Sequence, residues 1–273
     1  VLSKGKDNGG VMTAKILLFD IETAPSIAYT WGRWDQNIAP SQVIQESHML
    51  CWAAKWLDSD EVFFDSLPNH KGYKRNPTDD SKIVKTLSDI LNVADIAIAH
   101  NGDGFDMKWL RKQLAKYRLP NVSTAKTVDT LKVAKRYFNF PSNRLDELAA
   151  YLGISERKIK TDFNLWRDCM NGKVDAWQAM LDYNIQDLYP LEEVYKVLRP
   201  FMTNHPNVGV YEDNLQMSCP VCGGTELVKN GYYHTNLSRF QRYKCNDCGN
   251  QKIRGRTNLL DKDERKELLT NAI

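Results

Sequence analysis

At 273 residues the chain has room for one large domain and a small appendage. Its hydrophobic fraction of 42% and charged fraction of 26% are those of a globular protein. No apolar run approaches the roughly 18 residues that a membrane-spanning helix needs. The net charge of +3 is uneven: Cys219 to Thr257 carries seven Lys and Arg against two acids, a local excess of +5, leaving about −2 for the rest.

Residues 1–13 are polar and glycine-rich, unlike a signal peptide, and read as a disordered tail or an expression remnant with Met12 as a natural start. Ile16 to Phe19 is an apolar run that predicts a strand buried on both faces. It ends in Asp20-Ile-Glu22, and because side chains i and i+2 of a strand share a side, both acids project together while Ile21 turns back to the core. Adjacent carboxylates raise each other's pKa, and a divalent cation relieves that conflict. A loop between Pro25 and Pro40 follows, carrying Tyr29, Trp31 and Trp34. Beside an acidic site, exposed rings of this kind, Trp31 among them, are stacking platforms for bases.

His48 to Leu57 and Glu61 to Leu67 predict a β-hairpin across Asp58-Ser59-Asp60. Lys82 to Leu91 has helical spacing, and Ala94 to Ala99 is a second short buried strand. It runs into His100-Asn101, a turn at Gly102 and Gly104, and a helix opening at Phe105-Asp106 and reaching about Arg118. Val128 to Asn139 and Asn143 to Leu152 predict two more helices, with Asp129 as an N-cap. A short helix near Phe163 to Met170 and a long one from about Val174 to Leu198, with a bend expected at Pro190, complete the region. Strand, hairpin, helix, strand, then helices is an α/β layout with one mixed central sheet. Tyr183 and Asp187 lie one turn apart on the long helix and share a face.

The order of these acids carries a resemblance. Phe19-Asp-Ile-Glu-Thr23, then His100-Asn101 through Phe105-Asp106, then Tyr183-Asn-Ile-Gln-Asp187 resemble the three motifs of the DEDD superfamily of 3′–5′ exonucleases. Asp129-Thr-Leu131, Leu145-Asp-Glu-Leu148 and Leu152-Gly153 are similar to the segment such proteins carry between the second and third motifs. The likeness spans roughly residues 14–198 and is closest to family B polymerase proofreading domains and stand-alone phage exonucleases. The superfamily's other branch has a histidine five residues before the last aspartate; Asp182 stands there, which indicates the tyrosine branch (DEDDy). The resemblance implies an RNase H-like fold and two Mg²⁺ or Mn²⁺ ions held by Asp20, Glu22, Asp106 and Asp187. By resemblance Asp20 bridges both ions, Glu22 and Asp187 flank one, Asp106 supports the second, Tyr183 orients the attacking water and Asn101 contacts the terminal nucleotide, beside Phe105. His100 is read as a structural hydrogen-bonder.

The chemistry matches the residue types: hydrolysis of a phosphodiester needs an activated water and charge stabilisation on both attacking and leaving oxygens, which two ions about 3.5–4 Å apart supply. Hard divalent ions take oxygen ligands, and four carboxylates offer a formal −4 against +4.

Cys219-Pro-Val-Cys222 and Cys245-Asn-Asp-Cys248 are spaced as a Zn²⁺ site of four thiolates, and the segment looks like a zinc ribbon similar to those of some transposases. With Cys51 and Cys169 in apolar surroundings, this usage suits a reducing, cytoplasmic compartment rather than a disulfide framework. Arg239, Arg242 and Lys244, interleaved with Tyr232, Tyr233 and Phe240, suit a nucleic-acid backbone and its bases, while the same rings could instead form the mini-domain's own core.

The expected organisation is therefore an exonuclease domain over 14–199, a linker over 200–217, a zinc ribbon over 218–258, and a C-terminal tail or short helix over 259–273. The expected partner is nucleic acid, single-stranded DNA 3′ ends first, with no membrane. An exoribonuclease of the same superfamily and a non-catalytic nucleic-acid-binding protein are the alternatives.

Overall fold

The computed structural model describes residues 14–122, 126–156, 159–213 and 216–270. They form two compact units, one over Lys15–Tyr195 and the other from Lys196 onward. The tail expected over 1–13 lies outside the described residues, apart from Ala14 which follows it.

The first unit is built on β1 (Ile16–Thr23), whose residues up to Phe19 are buried. A two-stranded ribbon of β2 (Ile27–Ala28) and β3 (Val43–Gln45) lies in the loop that follows. The hairpin of β4 (Met49–Trp56) and β5 (Val62–Ser66) comes next, then α1 (Ser81–Leu91) and β6 (Ile96–Ala99). After α2 (Asp106–Lys116) come β7 (Lys126–Asp129), α3 (Thr130–Tyr137), α4 (Leu145–Tyr151), α5 (Phe163–Met170) and α6 (Val174–Leu198).

The sheet order is β5-β4-β1-β6-β7, so β1 is the middle strand. It pairs antiparallel with β4 and parallel with β6, and β7 extends the parallel side. This is the mixed α/β sheet that the strand and helix order predicts. Leu17, Phe19 and Ile21 pack in one core with α1 and α2 residues such as Leu87 and Leu110. The alternate residues of β1 look to α6: Lys55, paired across the sheet with Leu18, is buried in an ion pair with Glu192 of that helix.

One expectation changes. The helix predicted from Val128 starts at Thr130, because Lys126 to Asp129 form β7 against Ile96 to Ala99. Val128 and Leu131 are spaced i, i+3 as in a helix, and pairing of 126–129 with the β6 edge overrides that local signal. Asp129 does cap the helix, accepting from the N–H groups of Leu131 and Lys132. The long helix continues through Pro190 without interruption.

In the second unit, β8 (Leu227–Thr235), β9 (Ser238–Cys245) and β10 (Ile253–Asn258) make a three-stranded antiparallel sheet, followed by α7 (Lys262–Lys266). The third strand is not among the elements expected from the sequence. Residues 200–217, expected as a linker, include a 3₁₀ turn at Val208–Tyr211 with Val208 buried and its N–H donated to Pro220 O at 2.9 Å.

Asp80 ties this frame together. It is fully buried and accepts from Met49 N (2.7 Å), Gln113 Nε2 (3.1 Å) and Tyr117 Oη (2.5 Å), linking the start of β4 to α2 and its C-terminus. Asp80→Ala strands these donors in an apolar interior, so we expect a loss of about 3 kcal/mol, read as a lower urea midpoint.

Candidate active site

Where β1 leaves the cover of β6, its acids begin. The parallel pairing stops at Leu18↔Ile98, and four residues later β1 has passed Asp20 and Glu22. Asp20 and Glu22 are half-buried and Asp187, from α6, is buried. One carboxylate oxygen from each lies within 4.8 Å of the others. The strand places the first two by alternation, and the helix delivers Asp187 from an inward stripe that also contains Met180, Asn184, Leu188 and Leu191.

Neutral donors steady the trio. Asn184 Nδ2 donates to Asp20 Oδ2 at 2.7 Å, and its Oδ1 faces Cys51 Sγ at 3.7 Å. Trp166 Nε1 of α5 donates to Glu22 Oε2 at 3.2 Å, and the same indole meets the Tyr183 ring edge-to-face at 5.7 Å. Neither Asn184 nor Trp166 is among the residues the motifs point to. Asn184 has a signal, a polar residue on the buried stripe of a helix; Trp166 has none, since its role depends on how α5 folds back. Burial, and then the charges of Glu22 and Asp20, push the Cys51 thiol well up, so it sits behind the acids as a neutral group.

Asp106 stands outside the trio of oxygens. It opens α2 and is buried. Burial pushes its carboxyl up to about 7, aided by the charge of Asp129 and opposed by the N–H groups of Asp106 itself and Ile21. The Ile21 N–H places this carboxyl beside β1, between Asp20 and Glu22. The turn before it is held by Asp129, which also accepts from Asn101 N (3.0 Å) and Asp103 N (3.2 Å). Asn101 is in the left-handed region (φ 66°), and a Cβ on Gly104 would lie 2.4 Å from its Oδ1, so a larger residue there would displace the Asn101 side chain. His100 is fixed through Nδ1 to Thr130 Oγ1 and Nε2 to Asn143 O, both at 2.9 Å.

Tyr183 and Asn101 line a cleft of about 1200 Å³ whose walls also hold Lys135, Arg144 and Lys160. Phe105 is partly exposed at the start of α2. Trp31 is 98% exposed on the β2–β3 loop and is not among the residues of that cleft.

In the second unit, Cys219, Cys222, Cys245 and Cys248 bring their sulfurs within 4.8 Å of one another. The Cys219 thiol is pushed down to about 5 by hydrogen bonds from Cys222 Sγ and from the backbone N–H groups of Cys222 and Val221. Four soft donors in this arrangement fit Zn²⁺, and three hard oxygens fit Mg²⁺ or Mn²⁺.

Residues 17–199 match the family model of the RNase H superfamily, and the chain belongs to that superfamily. No curated protein matches it in sequence. Among solved structures, the family B DNA polymerase of the hyperthermophilic archaeon Pyrobaculum calidifontis is similar over 69% of this chain, at 17% identity and a TM-score of 0.46. The chain spans a quarter of that polymerase's length. Membership of the superfamily supports a nuclease-type function in general, and with it nucleic-acid binding and divalent metals. Among the described residues, no helix is long and apolar enough to cross a membrane.

The raised Asp106 has a consequence in metal-free protein. Its folded value of about 7 lies above the ordinary carboxylate value near 3.9. Its stabilising protonated state is complete below about pH 4 and is lost as pH rises through about 7. Asp106→Asn stays neutral throughout. The variant is expected to match the wild type at pH 4 and to melt higher than it at pH 8, measured without added Mg²⁺ or Mn²⁺.

Proposed function

We propose that this chain is a metal-dependent 3′–5′ exonuclease of the tyrosine branch of the DEDD superfamily, hydrolysing DNA from single-stranded 3′ ends. The observation that carries the reading is the convergence of Asp20, Glu22 and Asp187 within 4.8 Å at the open end of β1, next to Tyr183 on the wall of a cleft large enough for a nucleotide. Two Mg²⁺ or Mn²⁺ ions supply Lewis acidity to the phosphoryl group, a more acidic water and charge neutralisation at the leaving oxygen.

The chain's own residues do the rest. Asp20, Glu22 and Asp187 hold the ions, with Asp106 as the fourth carboxylate. Asn184 and Trp166 fix Asp20 and Glu22 in rotation, so the carboxylate oxygens are set before substrate enters. Tyr183, its ring braced by Trp166, orients the attacking water through its hydroxyl and leaves deprotonation to the metal. Asn101, on its left-handed turn and also lining the cleft, contacts the terminal nucleotide, and Phe105 and Trp31 offer rings to bases. The zinc ribbon, through Arg239, Arg242 and Lys244, adds affinity for the strand, which fits its local charge excess of +5.

Asp20→Ala and Asp187→Ala are each expected to abolish release of nucleotides from 5′-labelled single-stranded DNA, while melting no lower than the wild type without metal, since each removes like-charge repulsion. More than about a tenth of the activity in both would overturn the two-metal reading. Tyr183→Phe is expected to cost about 10- to 10³-fold in kcat. RNA of the same sequence, run in parallel, decides between deoxyribonuclease and exoribonuclease. A weak chelator is expected to remove activity reversibly and leave the zinc content and the circular dichroism of the chain unchanged.

A further inference from the structure

The three strands of the second unit hold six Lys and Arg and no Asp or Glu. Strand register divides these charges between two faces. Taking β9 as reference, Val228↔Lys244, Tyr233↔Phe240 and Arg254↔Arg242 are pairs on one face. Leu227↔Cys245, Lys229↔Tyr243 and His234↔Arg239 belong to the other, because adjacent residues of a strand point oppositely. The second face runs into the cysteine cluster: Leu227, Tyr243 and Ile253 pack with Cys219 and Cys245, and this is the unit's own core.

The first face has no such partner in that core. Tyr233, Phe240 and Arg254 are absent from the apolar cluster, and Tyr233 remains 45% exposed. Arg254 lies over Phe240 at 4.4 Å and over Tyr233 at 5.4 Å, from ring centroid to guanidinium carbon. Arg242 is steadied by Nε donating to Asn230 O at 2.7 Å. By contrast Arg239 is tucked against Tyr232, with its Nε buried.

We infer that the Tyr233–Phe240–Arg254 face of this sheet binds single-stranded nucleic acid, with Arg254 at its centre and Arg242 and Lys244 on the phosphates. This rests on the nucleic-acid reading of the ribbon made above, and it replaces Arg239 with Arg254 as the main contact. An acid-free face attracts a polyanion of any form. The exposed Tyr233 ring, with half-buried Phe240 beside it and a guanidinium lying over both, adds something a duplex cannot use, since only unpaired bases offer a face for stacking. Sequence independence follows, because each base has such a face.

The test uses the full chain in an Asp20→Ala background, with binding followed by fluorescence anisotropy over a salt series. The probes are a 30-nucleotide oligo-dT strand and a 30-base-pair duplex. Tyr233→Ala is expected to weaken strand binding about tenfold with an unchanged salt slope, and to leave duplex binding as it was. Arg254→Ala is expected to weaken strand binding similarly and to reduce the slope by about 0.7, one phosphate contact on a single strand. Lys229→Ala removes one charge from the opposite face and is expected to change neither. Zinc content and circular dichroism confirm folding of each variant. Equal losses for Lys229→Ala and Arg254→Ala would overturn the choice of face, equal losses on strand and duplex would overturn the single-strand preference, and no loss for Tyr233→Ala and Arg254→Ala would overturn the site. Cleavage of a six-nucleotide strand by the wild-type chain with Mg²⁺ or Mn²⁺ is scored separately: its absence would sink the exonuclease reading and leave the binding result standing.

Discussion

Crowding of like charge at the end of a buried strand is the constraint on which the first unit depends. Asp20 and Glu22 are placed on one side by the pleat, and α6 then brings Asp187 to within 4.8 Å of both. Two unit charges 4 Å apart repel by about 4 kcal/mol at an effective dielectric of 20, so the folded chain tolerates the arrangement only with strong support elsewhere. That support is visible on both sides. Leu17, Phe19 and Ile21 are locked into the main core, and α6 is anchored one turn beyond Asp187 by the Lys55–Glu192 pair, in which Glu192 Oε1 also accepts from Asp58 N. Lys55 faces the same side of the sheet as Asp20, but its ammonium is committed to Glu192 and to the Tyr189 ring. The contacts given to Asp20 and Glu22 by Asn184 and Trp166 come from neutral donors, which orient a carboxylate without neutralising it. Three carboxylate oxygens grouped in this way are the hard donors that divalent cations take.

The parts of this arrangement that were legible in the sequence are those set by a single element. Strand alternation puts Asp20 beside Glu22, helix periodicity puts Tyr183 above Asp187, and paired C-x-x-C motifs bring the cysteines together. Asp129 as a cap follows from its place before a helix. What was not legible needs two elements at once. Trp166 reaches Glu22 across 144 positions of sequence, and no local pattern encodes that. β7 was hidden because Lys126-Thr-Val-Asp129 is four residues with one clearly apolar position and no alternation, and β10 because Ile253 to Asn258 is short and polar. The pair β2–β3 has two and three residues, too few to leave a period.

The turn between β6 and α2 shows how a small set of backbone bonds positions chemistry. Asp129 caps α3 and, with the same carboxylate, accepts from Asn101 and Asp103. Lys132 closes the loop by pairing with Asp103 at 2.8 Å. The left-handed Asn101 and the two-sided clamp on His100 fix the turn from which the chain enters α2 at Asp106. The cap is therefore also a positioning group, which its place in sequence alone does not reveal.

The two units are opposite in their demands on metal and in their charge. One gathers hard carboxylate oxygens, the other soft thiolates, so each selects its ion by ligand chemistry rather than by affinity order. The charge split has the same logic. A cluster of acids repels the phosphates it is proposed to act on, and about −2 of net charge outside the ribbon does nothing to draw a polyanion in. The strands of the second unit hold six cations and no acid, and on the proposed reading they supply that attraction. Under that reading capture and chemistry sit on different units, each with the charge its own task requires.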